Sequence, residues 1–154
     1  MSKKSSKQAQ TVALQLISLC KDNAAMMRQA EIVKAEFDKV VSVGSLMSNQ
    51  NQLMLNKVLH VTRAMDTGMK TFLGVFDALE GVQRSMGGYL TRLRQGKEYC
   101  FGRLNGDLSQ RIQISVVDER NRLLHAAGTY PTKAETDKII GNVESYLQTI
   151  LNLA

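Results

Sequence analysis

Between Val12 and Cys100, apolar residues recur at alternating intervals of four and three without an insertion or deletion. Of the 26 positions in this seam 21 are apolar, where a 44% hydrophobic composition places about 11, and none is charged. Such a register predicts a long helix whose seam is buried against other helices. Its strongest stretch, Val61, Met65, Phe72, Val75, Leu79, Val82, Met86 and Leu93, is the expected oligomer interface. One flank of the seam is also apolar, with Ile17, Ala24, Leu59, Leu73 and Phe101, and a further row holds Ala13, Cys20, Met27, Val41, Leu55, Met69, Phe76 and Leu90. Together they widen the buried arc to roughly 160°, more than a dimeric coil needs and enough for neighbours on two sides. A bundle of three or more helices is predicted.

Polar interruptions set the organisation along this region. Asn23 and Asn51 fall at equivalent seam places, where an amide fixes register and oligomer state at a cost in stability. Replacing both with Leu is then expected to raise thermal stability and loosen the choice of partner. Gly44-Ser45 and Ser48-Asn49-Gln50-Asn51-Gln52 mark a bend over 44–52 that would fold the chain into a two-helix hairpin. Without that bend, one helix would run about 140 Å at about 1.5 Å per residue. Gly74, Gly81 and Gly88 recur at seven-residue spacing, each costing about 1 kcal/mol against Ala, which predicts a smooth ridge for close packing.

Past Cys100 the register fails, and Gly102 with Asn105-Gly106-Asp107 marks a turn. Ile112, Ile114 and Val116 then alternate with polar residues, and a four-residue polar break separates them from Leu123-Leu124-His125-Ala126-Ala127. The β-branched content favours a β-hairpin over 111–127. A helix is the close competitor, since on a helical wheel only Ile114 leaves the apolar half. Thr129-Tyr130-Pro131 opens a final helix with proline in its first turn and with Ile140, Val143, Leu147 and Ile150 as its buried row. The predicted class is mainly α: a basic tail over 1–8, a heptad-patterned region over 9–101, a turn-rich segment over 102–130, and a C-terminal helix over 131–154.

Composition adds few constraints on chemistry. Pro131 is the only proline and Trp is absent, which suits long helices. No run of 18 uncharged apolar residues and no secretory pattern occurs, so the expectation is a protein made in the cytoplasm, with no membrane span. Cys20 and Cys100 belong to no metal-ligand or redox spacing, and His60 and His125 to no nucleophile motif. No cofactor, metal or active site is expected. The net charge of +6 is local, and Lys3, Lys4, Lys7, Arg92, Arg94 and Arg103 are the candidate anion contacts. No aromatic row interleaves them for base stacking. The leading expectation is a non-enzymatic structural subunit that self-assembles through long helices, of the virion, phage or secretion-apparatus type. Alternatives are an adaptor subunit pairing with other helical chains and a basic nucleic-acid-associated packaging protein.

Overall fold

In a computed structural model, which describes residues 5–45 and 49–154, the chain is mainly helical, with no strand among the described residues. The α-helices are α1 Lys7–Leu19, α2 Ala24–Ser42, α3 Gln50–Val75, α4 Met86–Leu93, α5 Gly106–Ile112, α6 Glu119–His125 and α7 Lys133–Leu151. Short 3-10 turns cover Val43–Ser45 and Gly96–Tyr99, and a π-helical stretch, Gln113–Asp118, joins α5 to α6.

The heptad region is therefore not one rod. It is interrupted after Leu19, after Ser42 and after Val75, and each interruption has a local cause. Asn23 adopts an extended backbone and its side chain accepts the Met26 N–H at 3.1 Å, so it caps α2. Beyond Val75, Asp77 (φ 53°) and Gly81 (φ 71°) take left-handed conformations that a helix cannot hold. The predicted bend is present: α2 and α3 form an antiparallel-type hairpin joined between Ser42 and Gln50, although residues 46–48 of the joint lie outside the described residues. Asn49 caps α3 by accepting from Gln52 N–H at 3.1 Å, while Asn51 is exposed in the first turn. Neither Asn23 nor Asn51 is a buried register amide within the chain. Met47, also assigned to the seam, is among the undescribed residues.

The seam itself is buried, but against the chain's own helices. Val61, Met65, Phe72 and Leu93 are fully buried, Met86 is 6% exposed, and Val75, Leu79 and Val82 pack partly buried against the same core. These residues were expected to face a partner; within one chain they already have neighbours. Helix α3 meets α2 on one side and α7 on another, and α1 completes the core against α2 and α7. Gly68 lets α7 come close, since a Cβ there would stand 2.9 Å from the Leu147 methyls. Gly74 similarly makes room for Met26, so close packing explains Gly74, whereas Gly81 of the same heptad row serves a turn.

The segment 111–127 is helical and not a β-hairpin. Ile112, Val116, Val117 and Leu123 are buried on one face, and Ile114, the residue that leaves that face, is 57% exposed. Burial of a continuous apolar face outweighed the intrinsic preference of the β-branched residues. Helix α7 begins two residues later than the proline reading implied: Thr132 is its cap, in a capping box with Glu135 (3.1 Å each way), and Pro131 precedes the cap. Of its predicted row, Val143, Leu147 and Ile150 are buried and Ile140 is partly buried.

Stability should follow these assignments. Phe72→Ala is expected to cost about 3–5 kcal/mol in urea unfolding. Asn23→Leu should lose about 1 kcal/mol through the missing cap, reversing the gain that a seam amide would give. A melting temperature that rises in Asn23→Leu would restore the register role.

Candidate functional site

Charge is distributed unevenly over this frame. Residues 84–122 hold eight basic groups (Arg84, Arg92, Arg94, Lys97, Arg103, Arg111, Arg120, Arg122) and four acidic ones (Glu98, Asp107, Asp118, Glu119), a net +4. All other described residues balance ten basic against ten acidic groups, and the remaining +2 of the chain is Lys3 and Lys4. The charged stretch makes a layer of α4, α5, the π-helical stretch, α6 and the turns that flank them; α4, α5 and α6 each pack on the π-helical stretch, and α4 and α6 also meet α3. The net charge of the described residues thus belongs to this stretch of the sequence, with Arg84, Arg94, Lys97 and Arg103 in its turns.

Individual groups in this layer have different tasks. Arg92 donates to the carbonyls of Ala78 (2.8 Å) and Glu80 (3.1 Å) and to Gln95 Oε1 (3.0 Å), and its guanidinium lies 4.7 Å from the centre of the Tyr99 ring. It fastens the 76–85 loop and the 96–99 turn to α4. Tyr99 and Phe101 in turn stack near Phe72 and Phe76 at the end of α3. Arg92 is therefore engaged within the fold. Arg122 is paired with Glu119 (2.9 Å) and Glu135 (3.0 Å) across α6 and α7. By contrast Arg94, Lys97, Arg103 and Arg111 are exposed and enter no ion pair with a described residue.

Beneath the layer, Asp66 of α3 lies half-buried. Burial raises its carboxyl above the usual range, while Arg120 of α6 and Lys70 of α3 pull it back. Tyr89 of α4 is raised too, first by burial and then by Asp66, with Arg84 opposing. Arg120 and Lys70 thus act on one carboxylate from two helices, and Arg84 acts on the neighbouring Tyr89. Sequence reading missed this arrangement, because it needs α6 and α4 to pack against α3.

The other sequence candidates do not join this layer. Lys7 opens α1, which packs against α2 and α7; Lys3 and Lys4 lie outside the described residues. His60 sits between α2 and α3 with Nδ1 2.7 Å from Glu36 Oε2, and Glu36 is 7% exposed, a pair that ties the hairpin together. His125, at the end of α6 one turn beyond Asn121, is exposed and has no hydrogen bond or ion pair to a described residue. Cys20 is buried, which raises its thiol, and Cys100 is exposed. Among the described residues no cluster of His, Cys, Asp and Glu could hold a metal ion, and no helix is long and apolar enough to cross a membrane.

The chain matches no protein-family model, no curated protein and no solved structure.

The raised Asp66 carboxyl carries a sign. A folded-state value above the unfolded one contributes stability in acid that is lost as pH rises through the folded value. Asp66→Asn should flatten that loss in the window just above the ordinary carboxylate range and leave the protein at least as stable at pH 7. A large destabilisation at pH 7 would mean that Arg120 and Lys70 depend on this charge more than its burial costs.

Proposed function

We propose that the layer formed by α4, α5, the π-helical stretch and α6 binds the phosphate backbone of a nucleic acid. The observation that carries this reading is the partition of charge: a neutral remainder, and a net +4 on residues 84–122 with Arg94, Lys97, Arg103 and Arg111 exposed and unpaired among the described residues. Phosphate binding by such groups releases counterions and supplies affinity without reading sequence. A one-sided positive surface also steers a polyanion toward itself.

The self-assembling subunit and the hetero-oligomeric adaptor expected from the sequence both require a wide apolar arc left open for partners. Within the chain that arc already has neighbours in α1, α2, α4 and α7, which weighs against both. Of the three expectations we favour the nucleic-acid-associated protein, since the charge excess of the described residues falls in one stretch that carries four exposed, unpaired cations.

Fluorescence anisotropy with a labelled oligonucleotide, at several salt concentrations, tests it. Binding should weaken steeply with salt, and Arg94→Ala/Arg103→Ala/Arg111→Ala should lower the slope of log affinity against log salt by about 2–3. Lys21→Ala/Lys34→Ala/Lys57→Ala, from the neutral part of the chain, should change it little. Absence of salt-dependent binding, or equal losses in both triple variants, would overturn the reading.

A further inference from the structure

A cleft of about 450 Å³ opens between α4 and α5 within the same layer. Its size falls in the ~300–1,000 Å³ range of small-ligand sites. Its walls are chemically mixed. Leu90, 2% exposed, forms an apolar side; Arg94 supplies a guanidinium; Thr91, Ser109, Gln110 and Gln113 supply hydroxyl and amide groups; and Asp107 supplies a carboxylate.

Two glycines line it. A Cβ on Gly106 would stand 3.5 Å from an Arg94 terminal nitrogen, in ordinary contact, which places the guanidinium against the start of α5. A Cβ on Gly87 would stand 3.6 Å from Gln113 Oε1, inside the cleft but in ordinary contact. The Gln113 side chain is itself held, because its Nε2 donates to Asp118 Oδ1 at 2.9 Å, leaving Oε1 on the Gly87 side.

This lining suits neither a bare phosphate nor an apolar ligand. A carboxylate beside the arginine disfavours an anion that fills the whole space, while it can accept from the amino or ring N–H of a base. A base needs edge groups with both donors and acceptors, and the Gln110 and Gln113 amides with the Asp107 carboxylate provide them. We infer that the α4/α5 cleft takes one nucleotide unit, its unpaired base among Gln110, Gln113 and Asp107 and its phosphate on Arg94. This inference rests on the phosphate-binding reading of the surrounding layer where the unit belongs to a strand, and stands apart from it where the unit is a free mononucleotide. A duplex, whose bases are stacked and paired, cannot offer such a unit to the cleft.

Gly87→Leu fills the cleft and leaves every charge in place. Anisotropy is measured with a labelled 12-nucleotide single strand of mixed sequence and with its duplex, and amide chemical shifts are followed on adding 5′-AMP or 5′-CMP. Wild type should bind the single strand at least tenfold more tightly than the duplex. Gly87→Leu should bring single-strand affinity down to the duplex level while duplex binding and its salt slope persist. Gly141→Leu places the same side chain on α7, where a Cβ meets nothing within 4 Å, and should leave both affinities unchanged. Gln110→Ala, on an exposed side chain, should lower single-strand affinity about threefold or more and covers the case in which Gly87→Leu does not fold. Saturable shifts with a mononucleotide that vanish in Gly87→Leu, or in Gln110→Ala where that variant does not fold, would support the cleft with free nucleotide as the source. Equal single-strand and duplex binding with a steep salt slope, and no mononucleotide shifts, would overturn the cleft and leave the layer intact; no binding to any probe would overturn both.

Discussion

Helix α3 must bury an arc too wide for a single neighbour, and the other helices are placed by how they meet it. Val58, Val61, Met65, Met69 and Phe72 are all fully buried, and they reach α2 on one side and α7 and α4 on others. At about 25 cal/mol per Å² of apolar surface, leaving such an arc open would forfeit several kilocalories per mole. The hairpin joint after Ser42 and the turns at Asp77 and Gly81 return neighbouring segments to that arc. The last helix reaches it through Gly68, which permits the contact with Leu147.

Packing of this kind also decides which basic groups of the stretch 84–122 are used within the fold and which stay exposed. Arg92 holds part of this geometry by saturating carbonyls of the preceding loop and resting on Tyr99. The same side-chain type thus serves the fold at position 92 and stands exposed at positions 94, 103 and 111. The partners of a guanidinium identify its task more reliably than its place in a basic stretch does.

Much of the core was legible in the sequence, because burial follows periodicity regardless of whether the partner helix is in the same chain. The heptad seam identified Val12, Leu16, Val33, Phe37, Val61, Phe72 and Leu93 as buried, and the wheel singled out Ile114. Periodicity could not say where the helix stops. Asn23 fits a seam place and an N-cap equally well in a pattern, and only its extended backbone and its bond to Met26 decide between them. Asp77 breaks a helix through a left-handed conformation that its residue type permits without requiring. In the stretch 84–122 the charge excess was visible, but the pull of Arg120 on Asp66 depends on a contact between α6 and α3, distant in sequence.

The central claim is that the seam is consumed within one folded chain. Small-angle X-ray scattering of the purified protein at low concentration measures this through the radius of gyration. A folded bundle of this length should give about 15 Å, from the scaling of about 2.2 N^0.38 Å for compact domains. A value near ~40 Å, as a continuous helix of about 140 Å would give, would mean that the heptad region forms a rod and that its seam is buried by other chains.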